Sequence, residues 1–221
     1  MCCFPLNIIV GARDSKLSRT QFREVYEEIR VFYPSIVFTP IWLKTMGDMD
    51  QTTTLRTLEK TDFFTREIDQ LQLQGGCRIS IHSAKDLPDP LPKGLIIACL
   101  TKGVDSSDSL VLREGEDFFS LRAGAIIATS SLRREEMVRK LRQDLSFVDI
   151  RGAIDVRLQK LNTKEVDGVV VATAALIRLG LLSNINCIKL LGSTVPLQGR
   201  LAVVVREDDS EMRAMFSSLA S

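Results

Sequence analysis

The sequence predicts an α/β protein of two similar halves, and three observations carry that prediction. Short apolar runs such as Asn7–Val10, Gly168–Ala172 and Leu201–Arg206 read as strands, bounded by glycine or polar turns. Between such runs lie stretches with apolar residues at helical spacing, so strand and helix alternate. After Thr101 the alternation begins again, with Gly103–Ser107 as the hinge. The expected division places 1–101 together with 202–221 in one domain and 107–197 in another, with a cleft between them.

Each element follows from its residues. The first strand ends at Gly11, and a helix then carries Leu17, Gln21/Phe22, Val25, Ile29 and Phe32 on one stripe until Pro34 stops it. Val37–Lys44 is a second strand, with Val37, Thr39, Ile41 and Leu43 on one face, which completes a right-handed βαβ unit. The polar stretch Thr45–Thr61, with threonines at 52, 53, 54 and 57, predicts a long mobile loop of the functional kind. Phe64, Ile68 and Leu71 mark a helix closed by Gly75-Gly76. A strand over Arg78–His82, a turn through Pro88, Pro90 and Pro92, and a strand over Leu95–Leu100 finish the first half.

The second half reads as strands at Ser109–Leu112 and Ala125–Thr129, a helix from about Ser131 to Gln143, a strand at Ser146–Ile150 and a helix at Ala153–Asn162. The strand Gly168–Ala172, a short helix Ala174–Leu179, the strand Leu201–Arg206 and a terminal helix Ser210–Leu219 follow.

Composition narrows the function. The 221 residues suffice for a sizeable core, and 29 Lys+Arg against 28 Asp+Glu leave a net charge of +1. Neither that balance nor 6% aromatics suits a nucleic-acid groove, so no nucleic-acid partner is expected. Cysteines at 2, 3, 77, 99 and 187 form no C-x-x-C pair, and His82 is the only histidine. That argues against a disulfide framework and a zinc site, and for a reduced, cytoplasmic setting. The start lacks the signal-peptide pattern and no apolar run reaches membrane-spanning length, so no membrane is expected either.

Four segments carry candidate chemistry. Gly11-Ala12-Arg13-Asp14-Ser15 stands at a strand-to-helix turn, where backbone N–H groups with Arg13 and Ser15 could bind an anion, or simply cap the helix. Thr129-Ser130-Ser131-Leu132-Arg133-Arg134 puts two arginines in a helix's first turn, against the dipole, so an anion or carboxylate should compensate them. Ile150-Arg151-Gly152 opens a helix that also holds Arg157; over residues 129–160 eight Lys/Arg face five Asp/Glu, so the positive charge is local. Lys85-Asp86 follows a strand, where Asp86 suits acid/base work or stabilising a cation, or forms an ordinary turn; His82 alone reads as structural.

The stretches GARDSKLS, HSAKDLP, GAIIATSSLRR, IRGAIDVRLQKL and VVVATAALIRLGL, in order from Ile8 to about Arg206, resemble the porphobilinogen deaminase (hydroxymethylbilane synthase) family. The resemblance implies two periplasmic-binding-protein-like (type II) doubly wound α/β domains. It implies a transferase of tetrapyrrole and heme biosynthesis that condenses four porphobilinogen units head to tail and releases ammonia. The family builds its product on a dipyrromethane primer, held by a cysteine of a third α+β domain. The chain ends near where that domain would begin, so the third domain and the cysteine anchor are expected to be absent. By position, Asp86 corresponds to the catalytic aspartate. Arg13, Ser15, Lys85, Ser131, Arg133, Arg134, Arg151, Arg157 and Arg178 correspond to the groups that bind the acetate and propionate side chains.

Departures from the family pattern are Met46 for an arginine, Thr57 and Thr61 for loop lysines, Ala153 for an asparagine, and Gln198-Gly199-Arg200-Leu201 for a Gly-Gln-Gly pattern. These raise an alternative, a catalytically impaired anion- or pyrrole-carboxylate-binding module of the same fold. Surface left by the missing domain is expected to favour self-association or a partner.

Overall fold

The computed structural model describes residues 6–50, 53, 56 and 61–219, which form two compact units. In chain order the strands and α-helices are β1 (Asn7–Arg13), α1 (Lys16–Phe32), β2 (Val37–Leu43), α2 (Met46–Met49), α3 (Arg66–Leu73), β3 (Ile79–Ser83), β4 (Leu95–Leu100) and β5 (Asp108–Leu112). There follow β6 (Ile126–Ala128), α4 (Leu132–Leu141), β7 (Ser146–Val148), α5 (Ile154–Asn162), β8 (Gly168–Ala172), α6 (Thr173–Arg178), β9 (Cys187–Leu190), β10 (Leu201–Arg206) and α7 (Ser210–Ser217). One unit takes in Met1–Asp50, Lys60–Gly103 and Arg200–Ser221; the other takes in Gln51–Glu59 and Val104–Gly199.

Each unit holds a five-stranded sheet, ordered β2-β1-β3-β10-β4 in the first and β7-β6-β8-β5-β9 in the second. Three parallel strands come first in both orders, and the fourth strand runs antiparallel to its neighbours. That antiparallel strand is the one the chain enters directly after leaving the other unit. Its amino end consequently lies at the edge where the parallel strands end, which is where open α/β sheets bind ligands.

The central strands read as unbroken apolar runs because both of their faces are covered. Along β8, Val170 joins Leu110, Ile127 and Val138 on one face, while Val169 and Val171 join Val111, Leu161 and Leu176 on the other. In the first unit, Val25 and Ile29 of α1 pack on Ile8, Val10, Val203 and Phe216.

Local signals account for the helix ends. Ser15 caps α1 by accepting from the Ser18 N–H at 3.1 Å. At the end of α3, Gly75 sits at φ 78°, and the Gly75 and Gly76 N–H groups donate to Gln72 O and Leu71 O.

Some expectations need correction. β1 runs through Arg13, so Gly11 and Ala12 lie in the strand and not in the turn. On the edge strand β2 it is Phe38 that faces the core, while Val37 and Thr39 are exposed. The stripe of α1 ends at Ile29, and Phe32 is exposed. The stretch Thr45–Thr61, foreseen as one loop, contains α2, and a 3-10 turn at Asp62–Phe64 follows it; Thr52, Thr54 and Thr57 lie outside the described residues. β9 has no counterpart in the sequence reading.

Candidate active site

In the first unit the site residues gather where β1 and β3 end. Arg13 is the last residue of β1, and the β1–β3 register brings it level with His82. Its guanidinium donates to both oxygens of Asp48 and lies over the Phe64 ring, 4.6 Å from the centroid. Asp48 also accepts from the Thr45 N–H at 3.0 Å and the Thr45 hydroxyl at 2.9 Å. Burial disfavours its charge, yet Arg13 and these donors hold its carboxyl below the usual carboxylate range. Ser15 stands two residues past Arg13, its hydroxyl engaged as the α1 cap.

β3 passes into a 3-10 turn over Ala84–Asp86, which carries Lys85 and Asp86, both half-buried. Gln21 of α1 donates to the Ser83 hydroxyl at 2.8 Å and fixes the start of that turn. Among the described residues, nothing donates a hydrogen bond to the Asp86 carboxylate or pairs with it. Behind the turn, His82 is buried beside Ser80, with 2.9 Å between Nε2 and Oγ. The Ser80 hydroxyl donates to Gln72 Oε1 at 2.8 Å, and Gln72 Nε2 donates to Val204 O and Arg78 O. Ser80 therefore accepts from His82, which places the ring proton on Nε2. Burial, with the Arg13 charge nearby, pushes the imidazole down to about 4, so His82 is a neutral structural donor.

In the second unit the corresponding edge is cationic. The Ser131 hydroxyl accepts from the Arg134 N–H at 3.5 Å as the cap of α4. Arg133 Nη2 donates to Asp108 Oδ2 at 2.6 Å, and Arg134 donates to Oδ1 through Nε at 3.0 Å and Nη2 at 2.7 Å. Asp108, the first residue of β5, has a fully buried side chain. Gln198 Nε2 adds a third donor side chain at 3.0 Å. Burial opposes the charge of Asp108, but Arg134 and Arg133 outweigh it and keep its carboxyl below the usual range. The compensating anion demanded by two arginines in a helix's first turn is thus supplied by the chain itself.

Ser130 links two strand ends, donating to Ile150 O and accepting from the Ile150 N–H. Arg151 follows directly, half-buried. Arg157 Nε donates to Gly152 O at 2.7 Å, and Arg178 Nη2 donates to Gly199 O at 2.9 Å, beside Gln198. Arg56 donates to Asp149, to Glu135 at 2.7 Å and to Thr129 O at 3.1 Å. Sequence reasoning missed Asp48, Asp108, Gln198 and Arg56. Only Asp108 left a signal, as an acid at the start of an apolar strand.

The described cysteines are free: Cys77 and Cys99 are buried and Cys187 is partly so. Burial pushes the Cys77 and Cys99 thiols up to about 11 and raises that of Cys187. None has the electropositive, accessible setting of a reactive thiol. Among the described residues no group of His, Cys, Asp and Glu is placed to hold a metal ion, and no helix is long and apolar enough to cross a membrane.

Two mixed sheets of this topology define the class of two-domain α/β binding-protein folds, here with a bare carboxylate at one strand edge and paired arginines at the other. Solved structures agree on the fold. The methionine-binding protein MetQ superposes with a TM-score of 0.61 at 13% identity, covering 97% of this chain and 90% of that one. A periplasmic substrate-binding protein from Coxiella burnetii gives 0.59 at 16%, covering 97% and 92%. A family model described as porphobilinogen deaminase, dipyromethane cofactor binding domain, matches residues 8–214. The porphobilinogen deaminase of Bacillus subtilis (strain 168) is 36% identical over 95% of this chain and 68% of its own length, and that of Clostridioides difficile (strain 630) 36% identical over 97% and 72%. The chain belongs to the porphobilinogen deaminase family.

Proposed function

We propose that the chain is a transferase of the hydroxymethylbilane synthase type, condensing porphobilinogen units head to tail with release of ammonia in tetrapyrrole biosynthesis. The observation that carries this reading is Asp86, a half-buried carboxylate with no partner, set on the turn that ends β3. A carboxylate in that state can accept the pyrrole N–H and stabilise the cation left when ammonia departs from the aminomethyl carbon. Lys85 and Arg13 on the same edge, with Ser131, Arg133, Arg134, Arg151, Arg157 and Arg178 in the second unit, supply donors for acetate and propionate groups. Arginine's planar fork suits such carboxylates.

The same donor chemistry fits a dipyrromethane, itself a pyrrole polycarboxylate. Arg133, Arg134 and Ser131 would hold its side chains, and bound there it would supply the carbon nucleophile for chain growth. The described thiols do not fit the covalent attachment, since burial keeps all of them protonated at neutral pH. That observation favours a second reading, a pyrrole-carboxylate binder of the same fold.

Intact-mass measurement before and after incubation with porphobilinogen separates the two readings. A gain of pyrrole units, or consumption of substrate, supports the enzyme; binding without either supports the module. Asp86→Asn is expected to abolish turnover and leave porphobilinogen affinity within about two-fold, because a substitution at an unpartnered position perturbs little else. Unchanged turnover would remove Asp86 from the mechanism.

A cytoplasmic setting is proposed on the free cysteines. Self-association is proposed at the groove of about 560 Å³ between β4 and α7, lined by Ile96, Ile97, Ala98 and Arg213, where β4 ends the sheet. A strict monomer by light scattering at high protein concentration would exclude it.

A further inference from the structure

Asp108 has no role in the reading above, yet it is the best-connected carboxylate of the cationic edge. Its buried side chain accepts four hydrogen bonds, from Arg133 Nη2, Arg134 Nε, Arg134 Nη2 and Gln198 Nε2. Three of the four fall on Oδ1 and one on Oδ2, and the side chain is fully buried, so Asp108 is out of a ligand's reach. Arg134 is in the reverse position, whereas Arg133 Nε is sealed from solvent. Asp108 takes the Nε–Nη2 edge of Arg134, while Arg134 Nη1 makes no hydrogen bond and is not sealed from solvent. Arg133 is held from two sides, by Asp108 through Nη2 and by Ser193 O through Nη1 at 2.7 Å. Gln198 Nε2 shares its two N–H protons among this carboxylate, Ser106 O and Ser107 O, so the segment before β5 and the segment before β10 are tied to one point.

We propose that Asp108 is a positioning residue for carboxylate recognition: it fixes the orientation of the Arg134 guanidinium, with Arg133 locked beside it, so that Arg134 Nη1 is presented to the acetate or propionate of a pyrrole ligand. The inference rests on the porphobilinogen reading and assigns its cationic edge an internal template. Without Asp108 the two side chains would sample many rotamers, and a ligand carboxylate would have to order them on binding. With it, that ordering is already present in the folded chain.

The test is the Kd for porphobilinogen by calorimetry, for wild type and Asp108→Asn, each well below its melting temperature. Asparagine keeps the size of the side chain and one carbonyl oxygen, but opposes an N–H₂ to Arg133 Nη2. The affinity is expected to fall about ten-fold, with the loss persisting in the fully folded protein. A purely structural role would lower the melting temperature and leave the Kd of the folded protein unchanged; that result overturns the proposal. Should Asp108→Asn not fold, Asp108→Glu retains the charge and displaces it by one methylene. It is expected to lose affinity as well, and wild-type affinity in that variant is equally fatal. If wild-type protein binds no porphobilinogen, the substrate reading fails and this proposal with it. If wild type binds and the variants bind equally well, only this proposal fails.

Discussion

Asp86 and Asp108 stand at the carboxyl edges of the two sheets, and they are held in opposite ways. Asp86 lies on a turn beyond a parallel strand, half-buried and without a partner. Asp108 opens the antiparallel strand of the other sheet, sealed from solvent and hydrogen-bonded by Arg133, Arg134 and Gln198. The two sheets share one strand order, so the topology offers equivalent edges and the local residues decide their sign. A buried, ion-paired carboxylate is a counter-charge for the cations around it. An unpartnered one presents itself, ready to meet charge that develops in a substrate. On the proposed reading, the contrast separates an edge that performs chemistry from an edge that recognises acids.

The sharpest way to test the independence of the two edges uses pH, because the only histidine belongs to the first. His82 sits near 4 in the fold against 6.5 when unfolded. Between those values the unfolded chain binds a proton that the folded chain refuses, so stability falls as pH falls. The whole contribution is present above 6.5, and about 3 kcal/mol of it is gone by pH 4. Asp69, whose carboxyl burial raises, slopes the other way, since its contribution is lost as pH rises. It is common to wild type and His82→Gln, so their difference isolates the histidine. Glutamine can keep the donor to Ser80, and urea unfolding of His82→Gln at pH 6.5 and 4.5 is expected to show a much flatter dependence. An identical slope in both proteins would mean that the loss arises elsewhere, for example among the carboxylates. Asp108 lies below the ordinary aspartate value, and its contribution is lost only as pH falls through that lower range.

Much of the fold was legible because period and punctuation agree. β4, β8 and β10 match their apolar runs, and Gly75-Gly76 closes α3 by the geometry that glycine pairs favour. Positions that depend on neighbours far along the chain were less legible. Whether Val37 or Phe38 faces the core follows from which face of β2 lies under α1, where Phe38 meets Phe22 and Tyr26, and the residues of β2 do not announce that. The candidate site divides in the same way. Arg133 and Arg134 were conspicuous in a helix's first turn, but their counter-charge lies 25 positions away from Arg133. Arg56 meets Glu135 across 79 positions. Pairings at that separation leave no local pattern, so the sequence indicated where cations stand and not which acids hold them.

Helix caps give the finest comparison between the edges. Ser15 and Ser131 occupy corresponding turns, and each is expected from the family resemblance to bind a carboxylate. In the fold both accept a backbone N–H, at 3.1 Å for Ser15 and 3.5 Å for Ser131. The shorter bond is the stronger, so Ser15→Ala is expected to cost about 1 kcal/mol in urea unfolding and Ser131→Ala about half of that. If Ser131 also donates its hydroxyl proton to a ligand, its alanine variant should lose porphobilinogen affinity out of proportion to that small stability change, while one acting only as a cap should not. α5 supplies the control, since Ala153 stands at its cap with no side-chain acceptor. Ala153→Asn is expected to gain about 1 kcal/mol. A gain in stability without a change in affinity would show that capping and recognition are separable at this edge, whereas a gain in both would make the cap part of the binding surface.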